Sequence, residues 1–130
     1  MSNRRIVEAY YQHANAGDWD AWCDLFTPDC VVDEQLAGRI AGRETLRNMM
    51  KGFPEQYTRF VNEPAQVIVE GDRAMAISNI SALAASYPDE PIEARVANYY
   101  EFAGEQIAYM ANYHDSKPFT PFLRQIGALD

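Results

Sequence analysis

Residues 92–102, IEARVANYYEF, decide the fold. Every second residue, Ile92, Ala94, Val96, Asn98, Tyr100 and Phe102, falls on one side of an extended chain. That side is apolar except for Asn98, whereas the other carries Glu93, Arg95 and Glu101. A period of two is the signature of a strand with one face buried. The neighbouring segments share it, and residues 65–70, 73–84 and 106–115 read as three further strands. Gly71-Asp72, Pro88-Asp89 and Ala103-Gly104 supply turns between them.

Upstream the period changes. Ile6, Val7, Tyr10, Tyr11 and Ala14 recur at steps of three and four, which predicts an amphipathic helix over residues 4–16 ended by Gly17. Asp18 caps a second short helix holding Trp19, Trp22, Leu25 and Phe26, and Pro28 stops it. Residues 30–33 read as a short strand, followed by an irregular loop to Gly42. A third helix spans residues 43–53, with Leu46, Met49, Met50 and Phe53 as its apolar side. Helices and a strand followed by consecutive hairpins form an α+β pattern. The expected architecture is a cone-shaped, curved antiparallel sheet wrapped over three N-terminal helices, a single domain over residues 1–130. Residues 117–130 form a short C-terminal extension in which Phe119 and Phe122 leave two docking places open, a pocket mouth or a subunit seam.

Composition excludes several classes of function. The net charge of −8, with eleven scattered Lys and Arg, argues against nucleic acid as a partner. No apolar run approaches the roughly 20 residues of a membrane span, and no signal-peptide core is present, so the expected location is cytoplasmic. Cys23 and Cys30 are the only cysteines, without metal-ligand spacing, and are expected to be buried thiols. No metal and no cofactor is implied.

The strands also point to a pocket. An amide interrupting an apolar face, as Asn98 does, must find partners or face a ligand. In the last strand Met110, Asn112 and His114 share one face, while Tyr109 and Tyr113 share the other. Both faces are substantially apolar, so one is expected to meet the helices and a cavity and the other a second copy of the chain. Tyr99, Tyr109 and Tyr113 would lie in that homodimer seam. Asp33 directly follows the apolar run 30–32, and a carboxylate buried there would be a usable base. His13 falls on the outer side of the first helix and has no assigned role.

Taken in order, Tyr10, Gly17-Asp18, Phe26 with Pro28-Asp29, Asp33, Gly42-Arg43-Glu44, Gly104 and Ile107 resemble the ketosteroid isomerase and SnoaL-like polyketide cyclase group of the NTF2-like (cystatin-like) superfamily, over residues 4–116. The resemblance implies roles for particular residues. Tyr10, seven residues before Gly17, matches the tyrosine that holds the substrate oxyanion. Asp33, nine residues before Gly42-Arg43-Glu44, matches the general base. Asn98 stands where the isomerases place a protonated aspartic acid as second oxyanion donor, and His114 where an apolar aromatic lines the steroid site. The implied walls are Trp22, Phe26, Met50, Phe53, Tyr57, Phe60, Met110 and Asn112.

Departures shift the implied chemistry. Phe26 and Met50 replace two supporting tyrosines of some members, and Asn112 with His114 makes that end more polar. This favours a SnoaL-like cyclase, in which an acid or histidine shuttles protons. The Arg-x-Asp pair of the limonene epoxide hydrolases is absent, because Val96 and Ala97 follow Arg95. The implied function is cofactor-independent proton transfer, isomerisation or cyclisation, on a small hydrophobic carbonyl compound. The alternatives are a non-catalytic ligand-binding or assembly module and, with less support, an epoxide hydrolase.

Overall fold

The computed structural model describes residues 1–129, so Asp130, the last residue of the expected domain, lies outside the described residues. Helix α1 (Asn3–Ala16) begins where the Ser2 side chain accepts from the Arg5 N–H and ends at Gly17, whose φ of 72° needs no Cβ. Helix α2 (Trp19–Cys23) is capped by Asp18. It is shorter than its apolar pattern suggests, because Phe26 already pairs with Ile107 in the sheet. Sheet pairing overrides helical period there.

Strand β1 (Phe26–Glu34) therefore starts before Pro28 and passes through it. Its register against the last strand shifts between Phe26 and Val31, and Pro28 and Asp29 lie exposed in that irregular stretch. A bulge tolerates a residue without an N–H. Strand β2 (Gly38–Ala41) occupies the expected loop, pairing antiparallel with β1. Helix α3 (Arg43–Met50) and the one-turn α4 (Phe53–Gln56) replace the single expected helix, interrupted at Gly52.

Strands β3 (Tyr57–Glu70), β4 (Arg73–Ala84), β5 (Ile92–Ala103) and β6 (Gln106–Tyr113) follow as antiparallel neighbours. The six-stranded sheet has the order β2-β1-β6-β5-β4-β3 and is antiparallel except where β1 meets β6. A 3₁₀ turn (Lys117–Phe119) and helix α5 (Thr120–Gln125) end the chain. Among the described residues no helix is long and apolar enough to cross a membrane.

The concave face carries two apolar clusters. One, beneath α1, includes Ile6, Tyr11, Phe26, Leu46, Tyr100 and Ile107. The other, at the far end of the sheet, includes Ile80, Ile92, Val96 and Phe119. The small inward residues Ala74 and Ala76 of β4 belong to the first cluster, where they permit close helix–sheet packing. Cys23 and Cys30 are free and buried, and burial pushes the Cys23 thiol up to about 11.

One polar clamp joins α1 to the edge strand β3. The Asn15 amide donates to the Asn62 carbonyl at 2.8 Å, and its oxygen accepts from the Asn62 N–H at 2.7 Å. The helix side chain thereby takes the place of a missing neighbouring strand. Asn15→Ala leaves both backbone groups half-buried and unpaired, so it should destabilise the fold by about 1–3 kcal/mol in urea unfolding.

Candidate active site

A cavity of about 390 Å³ lies at the seam of the two clusters, within the usual range of about 300–1,000 Å³ for small-molecule sites. It exists because helices α1 to α4 cover only part of the curved sheet. Aromatic rings form one connected series along its wall. Tyr10 packs on Trp22 at 5.3 Å, Trp22 on Trp19 at 5.3 Å, and Trp19 on Phe53 at 4.6 Å between ring centroids. Phe53 meets Phe60 at 4.9 Å, and Tyr57 stacks on Phe122 of α5 at 5.1 Å with planes 3° apart.

The polar residues enter from α1, β1, β5 and β6. Tyr10 is 6% exposed and lines the cavity, with the Tyr100 hydroxyl as its hydrogen-bonding neighbour. Burial, reinforced by the neighbouring Tyr11 and Glu34, holds Tyr10 well above the ordinary tyrosine range. It therefore stays protonated and available as a donor.

Asn98 is 1% exposed and lines the cavity wall, but its amide is not free. The Nδ2 group donates to the Tyr11 hydroxyl at 2.8 Å, and the Tyr100 hydroxyl donates to the same oxygen at 3.2 Å. What Asn98 leaves without a partner is its carbonyl oxygen, so the expected oxyanion donor is engaged elsewhere.

His114 follows β6 directly and lines the cavity, its ring 4.7 Å from that of Phe119. Its Nδ1 lies 2.8 Å from the Asp115 carbonyl oxygen. A carbonyl can only accept, so Nδ1–H is the donor in this contact and Nε2 is the ring nitrogen it leaves over.

Asp33 requires correction. It lies on the opposite side of β1 from the cavity, where Arg39 holds it through Nε and Nη2, both at 2.8 Å. The Tyr109 hydroxyl donates to the same carboxylate at 2.6 Å. These bonds lower its pKa to about 2 and push that of Tyr109 up to about 12. Asp33 is thus a paired carboxylate on the outer face, the reverse of a buried base. The cause is strand parity: Cys30 and Val32 point inward, so the next inward residue is Glu34. Phe26 is the second correction. It is fully buried behind Trp22, at 4.9 Å, and supports the wall without lining it.

The other expected residues, Tyr10, Trp22, Met50, Phe53, Tyr57, Phe60, Asn98, Met110, Asn112 and His114, all line this one cavity. Sequence reasoning missed Glu34, Trp19 and Ile126, and left open whether Phe119 and Phe122 meet the pocket mouth, where both lie, or a subunit seam. Glu34 accepts from the Leu36 N–H at 2.7 Å and from the Ala37 N–H, and Asn112 accepts from the Gln35 N–H at 2.7 Å. Helical spacing from Phe119 and Phe122 could have found Ile126, whereas the run at residues 30–32, apolar on both faces, gives no parity signal for Glu34.

The tail is tied down at the cavity mouth. Gln125 accepts from the Ser86 N–H at 2.6 Å and donates to the Gln56 carbonyl at 2.8 Å. Among the described residues no group of three or more His, Cys, Asp or Glu side chains is placed to hold a metal ion.

The Asp33 cluster generates a pH prediction. Folding lowers its pKa from 3.8 to about 2, so its contribution to stability is present above about pH 4 and is lost as pH falls through 2. Carbon-detected NMR titration should find Asp33 near 2 in the wild type, moving towards 3.8 in Arg39→Gln. The stability difference between wild type and Asp33→Asn should likewise close on acidification. A carboxyl titrating above its ordinary value would restore Asp33 as a candidate base.

The SnoaL-like domain model matches residues 7–110. No curated protein matches the chain. Solved structures share its fold at low identity. An NTF2-like protein of unknown function from Burkholderia pseudomallei K96243 superposes with a TM-score of 0.83 at 15% identity, covering 95% of this chain and 97% of the other. A protein with a ketosteroid isomerase-like fold from Catenulispora acidiphila DSM 44928, in complex with trimethylamine, gives 0.80 at 18% identity over 97% and 95%. A candidate polyketide cyclase from Pseudomonas putida KT2440 gives 0.77 at 20% identity over 92% and 96%.

Proposed function

The chain belongs to the SnoaL-like domain family, and from that premise we propose that it is a cofactor-independent proton-transfer enzyme, an isomerase or cyclase acting on a small apolar carbonyl compound. The observation that carries this reading is the 2.8 Å contact of His114 Nδ1 with the Asp115 carbonyl oxygen. With Nδ1–H donating there, Nε2 is left as the base of a ring that lines a predominantly apolar cavity. Nε2 takes a proton from the carbon beside the substrate carbonyl, and the electron pair moves onto oxygen. The Tyr10 hydroxyl, kept protonated by burial, donates to that enolate oxygen. The imidazolium is held by the same Asp115 carbonyl until it returns its proton. Return to a second carbon completes an isomerisation; return to the alkoxide of an aldol closure completes a cyclisation.

The non-catalytic alternative has one observation in its favour. The cavity's carboxylate, Glu34, is occupied by backbone N–H groups of its own turn. A panel of β,γ-unsaturated ketones and poly-β-keto esters, followed by proton exchange and product formation, separates the two. His114→Gln should lose about 10²- to 10⁴-fold in turnover, and Tyr10→Phe about 10²- to 10³-fold. Asp33→Asn should retain full activity. Equal activity of His114→Gln and wild type removes the base; a tightly held ligand with no turnover establishes the binder.

We propose further that a second copy covers the outer sheet face. Ile68, Met75 and Tyr99 are register partners across β3, β4 and β5, and Ile77, Ala97 and Tyr113 across β4, β5 and β6. Ile68 is 65% exposed and Tyr113 56%, so a continuous apolar surface faces water in the single chain. Light scattering should give a dimer mass, and Met75→Lys with Tyr113→Lys should give a monomer.

A further inference from the structure

Of the side chains that line the cavity, Glu34 alone carries a formal charge, and no Lys or Arg accompanies it. The contrast with the preceding residue is informative. Asp33, on the outer face, is neutralised by a bidentate Arg39. Glu34, on the inner face, forms no ion pair among the described residues; its partners are two backbone N–H groups and, at 3.5 Å, the Asn112 amide. Dipoles orient a carboxylate but do not cancel its charge.

The charge acts across the cavity. Tyr10 of α1 and Tyr57 at the start of β3 both have their pKa raised, in part by Glu34. The carboxylate is therefore within electrostatic reach of both aromatic walls. Those walls are of the kind that attracts cations: Trp19, Trp22, Tyr57 and Phe60 present ring systems whose faces carry negative potential. A space of about 390 Å³ leaves little room that is far from a ring. The net charge of −8 adds attraction for a cation approaching from solvent.

We infer that the cavity binds a ligand bearing a positive charge, an alkylammonium group of the tertiary or quaternary class, paired with Glu34 and surrounded by the aromatic wall. The apolar remainder of that ligand fills the space towards Tyr10 and Met110. This adds a charged arm to the substrate proposed above and rests on that reading for what the bound molecule undergoes. The binding itself requires no turnover, so the two statements fail separately.

A pair of isosteric probes tests it on the full chain. Benzyltrimethylammonium and neopentylbenzene have the same shape and differ in one atom, nitrogen for carbon, and in charge. Quenching of tryptophan fluorescence reports both, since Trp19 and Trp22 line the site. Wild type should bind the cation at least about tenfold more tightly than the hydrocarbon, the scale of a desolvated cation–π and charge contact. Glu34→Gln, which keeps the acceptor for its turn, should reduce that ratio by about tenfold while leaving neopentylbenzene affinity and the thermal midpoint unchanged. Equal or tighter binding of the hydrocarbon by wild type overturns the inference, as does a ratio unaffected by Glu34→Gln. Failure of both probes to bind at millimolar concentration overturns it too. None of these results bears on His114, whose loss of turnover is measured apart.

Discussion

The parity of β1 is the constraint on which the polar end of the cavity depends. A strand shows alternate residues to opposite faces, so a slip of one position exchanges them all. The irregular stretch at Pro28 and Asp29 resets the count, and the pairings of Val32 with Ile40 on one side and Met110 on the other hold it. In this register Cys30, Val32 and Glu34 face inward, and Asp33 meets Arg39 directly across the outer face. The opposite register would carry the Asp33–Arg39 pair into an apolar cavity and turn Val32 and Glu34 to water. Burying an ion pair is expensive and exposing Val32 forfeits its transfer energy, so both penalties enforce one choice.

The same reasoning shows which parts of the molecule were readable from sequence. β4 and β5 alternate cleanly between turns, and their boundaries follow from residues alone. Met110, Asn112 and His114 were readable as one face because they stand two residues apart along an extended segment. The run Cys30-Val31-Val32 is apolar on both faces and carries no parity signal. There, spacing carried over from the isomerases pointed to Asp33, one residue short of the inward position. β2 was unreadable for another reason: among GRIA only Ile40 is buried, too little for an alternation pattern. Residues 57–64 hid the first half of β3 because its partners are distant in sequence and Pro64 interrupts it.

Asn98 illustrates how a correct placement can hide a different role. The residue stands on the expected face and lines the cavity, but Tyr11 claims its amide. The Tyr11 hydroxyl gathers donors from both Asn98 and Tyr100 in a fully buried setting, where each unmade bond would cost on the order of 1–3 kcal/mol. Burial raises both tyrosines, so the network stays neutral across the ordinary pH range. An amide suits that setting, since it donates without needing a proton held against its natural pKa. The network thus ties α1 to the centre of the sheet, while the neighbouring Tyr10 turns to the cavity wall.

The far end of the cavity is walled by the chain after β6. The SnoaL-like match ends at residue 110, whereas His114, Phe119 and Phe122 follow it. His114 sits where a rigid strand gives way to the closing segment, its ring fixed on one side by Asp115 and on the other by Phe119. A base placed there is oriented by the same contacts that close the cavity. The stack of Phe122 on Tyr57 and the two bonds of Gln125 hold the segment down, while no disulfide or ion pair closer than the 3.8 Å Arg124–Glu90 contact reinforces it among the described residues. Such an attachment is strong enough to exclude water from an apolar site and weak enough to open for a ligand. The placement of the His114 ring and the seating of the tail are therefore coupled, because Phe119 belongs to both.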